Sequence, residues 1–413
     1  MTPFSLLIKP TSADCNLHCE YCFYLDHNSL YPETKVHRMS DSVLERMIAS
    51  YMALEQSHYV FSWQGGEPTL MGLDFFQKVI KLQTKHRRKG AGVTNTLQTN
   101  ATLIDDNFAR FLYQNKFLVG VSLDGPENVH NKYRKTTDGK GTHSRVLKGI
   151  EILKRNKVEL NILTLVNSAN VHMGKEIFNY LYDAGFKYQQ YIPCVEFNAH
   201  DEIQPYAVDG PAWGKFLCDV FDAWLGKDPL KTSVRLFDAI LLLMLDGTYH
   251  LCRMAGNCCQ YCVVEYNGDV YPCDFFVLPD LWLGNIMKTS WQELLSSSRY
   301  QKFGALKTAW HQQCSNCEYL IFCSGDCLKH RIYNGHDAQN LSWLCEGWKI
   351  FFAYSLPEFK KLALTILQQR KTNGYYPYGQ AKLKLDLLLK TGRNDLCFCG
   401  SGKKYKKCHL GQR

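Results

Sequence analysis

The sequence predicts an α/β protein: an open, partial (β/α)6 barrel, then a cysteine-rich module and a small metal-binding tail. Three observations carry that reading. From residue 4 to about residue 193, short β-branched or aromatic runs alternate with longer amphipathic stretches, the pattern of βα units around a parallel sheet. Ten cysteines then fall between Cys252 and Cys345, where apolar periodicity thins and Gly and Pro take over, as expected where metal centres replace a hydrophobic core. The last residues carry Cys397, Cys399, Cys408 and His409 in a segment too short to fold without a staple.

Each element follows from its own pattern. Strands are expected at residues 4–8, 59–63, 93–99, 117–123, 158–166 and 188–192, and helices near 41–56, 73–89, 105–115, 143–156 and 172–184. Ser40, Asp105 and Thr142 stand where helix N-caps belong. Six units are too few to close an eight-fold barrel, so the sheet should stay open. Residues 209–246 read as two helices and 347–370 as another, after which TNGYYPYGQ reads as a linker. The expected divisions are therefore 1–208, 209–249, 250–346, 347–371, 372–390 and 391–413.

Composition excludes several classes. With 413 residues, 46% apolar and 21% charged, the chain is globular and long enough for two or three domains. No apolar run approaches the roughly 18 residues of a membrane span, and the first residues lack a basic, apolar and small-residue leader pattern. The expected location is cytoplasmic. The net charge of +9 belongs to the C-terminal stretch: from Lys360 onward 13 Lys or Arg face only Asp386 and Asp395, which leaves the rest at −2. Such a basic tail favours anionic partners or is a solvated surface. Eighteen cysteines in a reducing compartment argue for metal or cluster ligation over disulfides. Cys194 and Cys218 have no partner spacing and read as core thiols.

Cys15, Cys19 and Cys22 form CxxxCxxC on a loop after the first strand. Three thiolates on a four-iron cube leave one iron open to a small molecule, whereas an electron-transfer cluster is normally closed by four. The plainer alternative is a zinc site completed by His18 or His27. The stretch CNLHCEYCFY resembles the signature of radical S-adenosylmethionine (SAM) enzymes. QGGEP at 64–68, QTNAT at 98–102, SLDGP at 122–126 and HNKYR at 130–134 match that family in order. The resemblance implies a partial radical SAM barrel that places Gln64, Gly65, Gly66 and Glu67 beside SAM, with Glu67 toward its amino group. Ser122 and Arg134 would meet its carboxylate, and Tyr24 and Gln64 would touch SAM or the target side chain. It also implies reductive cleavage of SAM to a deoxyadenosyl radical that abstracts an unactivated hydrogen.

Downstream, Cys258 is followed by Gly268 and Cys273, then by Cys314, Cys317, Cys323, Cys327 and Cys345. This seven-cysteine pattern resembles the SPASM extension of radical SAM peptide-modifying enzymes, which houses auxiliary [4Fe–4S] clusters; two zinc knuckles are the alternative from spacing alone. The resemblance suggests one cluster on Cys252, Cys258, Cys273 and Cys327 and another on Cys314, Cys317, Cys323 and Cys345, three clusters in all. Cys259 and Cys262 compete with Cys252 for the eighth position.

Asp274, within YPCDFFV, extends the resemblance to the anaerobic sulfatase-maturating enzymes, up to about residue 370. Those oxidise a Cys or Ser of an unfolded sulfatase to Cα-formylglycine, and Asp274 would deprotonate the target thiol or hydroxyl. The alternative is a SPASM enzyme that crosslinks or epimerises another ribosomal peptide; a multi-cluster electron carrier is a third. An electron donor such as flavodoxin or ferredoxin is implied. In the tail, CxC-x8-CH resembles the SEC-C motif, with Cys397, Cys399, Cys408 and His409 suited to tetrahedral Zn2+. That tail would bring the enzyme to chaperones, ribosomes or the export machinery.

Overall fold

The computed structural model describes residues 3–198, 200, 202–333 and 337–372, together with Lys404. The expected tail ligands Cys397, Cys399, Cys408 and His409 lie outside the described residues, as does the expected linker apart from its first residue.

The strands are β1 (Ser5–Lys9), β2 (His58–Trp63), β3 (Gly92–Thr99), β4 (Leu118–Ser122), β5 (Leu160–Val166), β6 (Tyr188–Pro193), β7 (Ser233–Val234), β8 (Tyr261–Glu265), β9 (Asp269–Tyr271) and β10 (Gly284–Asn285). The first six are those expected from alternation, shifted by no more than two residues at either end. They run parallel, each linked to the next by a crossover carrying at least one helix. These helices are α1 (Asp41–Met52), α2 (Gly72–His86), α3 (Asp106–Gln114), α4 (Glu127–Tyr133), α5 (His143–Arg155) and α6 (Gly174–Asp183). Ser40 and Asp105 cap α1 and α3 by accepting from Val43 N and Phe108 N. Thr142 does not cap α5: its hydroxyl donates to the Arg134 carbonyl at 2.9 Å, fastening the loop after α4.

The sheet extends beyond the six units. Its order is β10-β9-β8-β1-β2-β3-β4-β5-β6-β7, so strands of the cysteine-rich region join the barrel sheet directly. β8 lies parallel to β1, with Leu6 opposite Cys262 and Lys9 opposite Glu265. Spacing does not reveal this junction, because a five-residue buried strand among cysteines shows no alternation.

The core is apolar and aromatic. Leu6, Ile8, Phe61 and Trp63 pack with Leu44, Met47, Ile48 and Tyr51 of α1. α7 (Gly210–Leu225) and α8 (Arg235–Asp246) are the expected helix pair, followed by short α9 (Trp291–Ser296), α10 (Ser298–Ala305), α11 (Gln312–Ser315) and α12 (Leu320–Cys323). The chain then enters α13 (Cys345–Thr372), whose Phe351 and Phe359 pack on Phe221 and Phe237. Cys194 is buried against Tyr21 and Tyr133, and Cys218 packs partly buried on the main core. Among the described residues no helix is long and apolar enough to cross a membrane.

Candidate active site and cysteine centres

The ends of successive parallel strands deliver the chemistry-bearing residues to one rim, as open α/β sheets generally do. β1 ends at Lys9 and feeds the loop with Cys15, Cys19 and Cys22. β2 ends just before Gln64, β3 just before Asn100, and β4 at Ser122, which is nearly buried.

The three loop thiols sense one another. Burial, the Glu67 carboxylate and the other two thiols push Cys15 up to about 12, and burial raises Cys19 to about 11 despite the opposing Arg134 charge. Three such groups become thiolates together only around a positive centre, so the donor set suits a thiolate-ligated metal cluster.

The glycines of QGGEP serve the loop itself. Gly66 N donates to Ser12 O at 2.7 Å and Glu67 N to Asp14 O at 2.8 Å, clamping the turn to the cysteine loop. A Cβ on Gly66 would stand 1.9 Å from Asp14 O, so only glycine permits the contact. The Glu67 side chain is held from within. Oε1 accepts from Thr69 N, Thr69 Oγ1 and Thr99 Oγ1 at 3.0, 2.6 and 2.7 Å, and Oε2 from Asn100 N at 2.8 Å. Fully buried, this carboxylate ties the ends of β2 and β3 together.

Arg134 is likewise held from within. Its Nε donates to Asp124 Oδ2 at 3.0 Å, and the Tyr21 hydroxyl donates to the same carboxylate. The guanidinium sits 5.4 Å over the Tyr21 ring and beside Cys19. Burial works against its charge, but Asp124, Tyr21 and Cys19 outweigh burial and hold the proton more firmly. Asp124 and Tyr21 fall inside the recognised motifs, yet nothing local marks them as one unit with Arg134.

Asp274 follows Cys273 and faces the barrel rim. Its Oδ2 accepts from Gln64 Nε2 at 3.2 Å and its Oδ1 from the Tyr261 hydroxyl at 2.9 Å, which also lies 3.2 Å from Cys273 Sγ. Lys9 completes the group. It is 2% exposed, and its ammonium lies 4.2 Å over the Tyr24 ring, among Asp274, Glu265, Cys22 and Cys273. Burial lowers its pKa, and those four groups oppose the fall. Tyr24 donates to Glu265 and stacks on His27 at 4.0 Å. Its hydroxyl is thus engaged with a carboxylate. Sequence reasoning missed Lys9, Glu265 and Tyr261; the one local signal was a lysine directly after the apolar run Leu6, Leu7 and Ile8.

The remaining thiols differ in their surroundings. Cys273 feels Cys327, and both Cys327 and Cys258 feel Cys252. Cys314, Cys317, Cys323 and Cys345 line one concavity with Trp348 and Lys349. Cys259 Sγ instead lies 3.4 Å from Tyr300 O, and Cys262 is fully buried on β8. All fifteen described cysteines are free thiols.

Comparison with known proteins matches three segments of the chain to known families. The Radical SAM superfamily profile matches residues 10–181, an iron–sulfur cluster-binding (SPASM) domain profile residues 252–318, and the SEC-C motif residues 393–411. A cysteine-type anaerobic sulfatase-maturating enzyme of Clostridium perfringens is 40% identical over 374 residues, spanning 89% of this chain and 100% of the relative. A serine-type one of Bacteroides thetaiotaomicron is 35% identical over 386 residues, spanning 89% and 93%. A solved structure of native anSMEcpe with bound AdoMet and Cp18Cys peptide superposes with TM-score 0.81 at 39% identity, covering 88% of this chain and 99% of the other. Streptococcus suis SuiB bound to S-adenosylmethionine shares the fold, with TM-score 0.60 at 17% identity, 83% of this chain and 77% of the other being covered. A chain that matches these maturases over most of its length belongs to the anaerobic sulfatase-maturating enzymes of the radical SAM superfamily.

Proposed function

We propose that this chain oxidises a Cys or Ser side chain of an unfolded sulfatase polypeptide to Cα-formylglycine, with SAM and three [4Fe–4S] clusters as cofactors. The observation that carries the reading is Asp274: a carboxylate fixed by Gln64 and Tyr261, beside a buried lysine that also faces Cys22. Cys15, Cys19 and Cys22 would hold the SAM-binding cluster. Bound there and at the other two thiol groups, the cofactors would supply a deoxyadenosyl radical that takes the Cβ hydrogen atom and an acceptor for the second electron.

The chain's own groups do the rest. Asp274 Oδ1 or Oδ2 receives the proton of the target thiol or hydroxyl, while Gln64 and Tyr261 keep the carboxylate aimed; a Ser target then gives the aldehyde directly, and a Cys target gives a thioaldehyde that water hydrolyses with loss of hydrogen sulfide. Arg134, locked by Asp124, and Ser122 address the SAM carboxylate. Gly65 and Gly66 hold the turn at Gln64 against the thiol loop, and Tyr24 walls the site beneath Lys9. The separate engagements of Cys259 and Cys262 favour Cys252 with Cys258, Cys273 and Cys327 in one ligand set. Cys314, Cys317, Cys323 and Cys345 form the other. Cys397, Cys399, Cys408 and His409 would bind Zn2+, and the tail so folded would recruit chaperone, ribosome or export partners; flavodoxin or ferredoxin would supply electrons.

The test is anaerobic incubation of the reconstituted, reduced enzyme with SAM and paired peptides containing Cys-x-Pro-x-Arg or Ser-x-Pro-x-Arg, read by mass spectrometry. Aldehyde on either peptide with deoxyadenosine is the expected result and names the substrate type. Deoxyadenosine without change in either peptide would refute the proposed substrate.

A further inference from the structure

Between Cys323 and Cys327 the chain makes a strained crossover. Ser324, Gly325 and Asp326 are consecutive left-handed residues, with φ of 49°, 70° and 61°. Glycine adopts this conformation freely, but serine and aspartate need outside support. The crossover separates Cys323, which lines a concavity with Cys314, Cys317 and Cys345, from Cys327, which interacts with Cys252 and Cys273.

Lys307 supplies the support. Its ammonium is fully buried and donates to the carbonyls of Arg253 and Ser324, each at 2.7 Å, and to that of Asp326. Three carbonyls on one nitrogen require all three protons of an ammonium, since a neutral amine has only two. Burial lowers the pKa of this ammonium while Asp326, Cys327 and Cys258 oppose the fall, and the three carbonyls hold its protonated form inside the cysteine-rich region, where Cys252 and Cys323 also feel it. The Asp326 carboxylate is engaged elsewhere, with His330 Nδ1 at 2.8 Å, Ser342 Oγ at 2.7 Å and Arg253 at 3.4 Å. Arg331 donates to the carbonyls of Leu306 and Lys307 at 3.3 and 3.0 Å, fixing the backbone that carries the lysine. One side chain thus joins the segment after Cys252 to the segment between Cys323 and Cys327.

We infer that Lys307 is a positioning residue that also acts electrostatically, locking the crossover so that Cys323 and Cys327 face different ligand sets and raising, through its buried charge, the reduction potential of the cluster on Cys252, Cys258, Cys273 and Cys327. A positive charge favours the more negative, reduced state of a nearby cluster. This inference rests on the cluster assignment proposed above.

The test compares the holoenzyme with Lys307→Met and Lys307→Arg, by counting iron per chain and titrating each auxiliary cluster's midpoint potential by EPR. The expected result is a downward shift of one auxiliary potential in Lys307→Met and a return toward the wild-type value in Lys307→Arg. Should the Met variant fail to fold, Lys307→Gln, which keeps donors for the carbonyls without the charge, should show the same downward shift. Full iron content with both auxiliary potentials unmoved in the neutral variant overturns the role of Lys307. Wild-type protein holding iron for the first thiol set alone overturns the cluster assignment itself.

Discussion

Asp274 has both carboxylate oxygens engaged by donors, Gln64 directly after the end of β2 and Tyr261 from the hairpin that leads to Asp274. An Asn there keeps the shape and loses the base, so Asp274→Asn should retain part of the SAM cleavage while aldehyde formation falls by about 100-fold or more. Quantifying deoxyadenosine and aldehyde in the same reaction checks this, and undiminished aldehyde would remove Asp274 from the chemistry. Cys15→Ala should behave in the opposite way and abolish SAM cleavage itself, because the remaining two thiols cannot hold the open cluster. Single residues also show what a motif leaves out. Glu67 sits in the expected motif, yet four donors from Thr69, Thr99 and Asn100 occupy its carboxylate. A motif gives a residue's neighbours along the chain; its hydrogen-bond partners come from other strands.

At the scale of elements, alternation and capping located the six βα units because strand and helix periods are local properties. The contact between α7 and α13 was not legible in this way. It depends on glycines at which two backbones meet: a Cβ on Gly347 would stand 1.9 Å from Gly210 O, and one on Gly214 2.5 Å from Gly347 O. Gly347→Ala must push the helices apart and should cost about 1–3 kcal/mol, read as a lower midpoint in denaturant with the iron content of the folded fraction preserved. An unchanged midpoint would mean that the pair yields at no cost. β8 gives a second case. Its five residues offered no alternation, yet pairing with β1 sets Lys9 opposite Glu265 and links the cysteine-rich region to the barrel rim.

Across the whole molecule, one ten-stranded sheet carries both the thiol loop and the hairpin that leads to Asp274. The SEC-C match begins at residue 393, beyond the end of α13 at Thr372. Deleting residues 391–413 should therefore leave iron content and peptide oxidation by purified enzyme unchanged, while lowering sulfatase maturation in cells. Equal maturation and equal co-purifying partners with and without the tail would sink its recruiting role. By itself the sequence determined the parallel βα order, the thiol-rich chemistry and the family, since periodicity, ligand spacing and motif order are written along the chain. Only the tertiary structure decided that Gln64 and Tyr261 donate to Asp274 and that Lys9 and Lys307 are buried. Those are contacts between segments tens to hundreds of residues apart, and their geometry is set by strand register and packing, which no local spacing encodes.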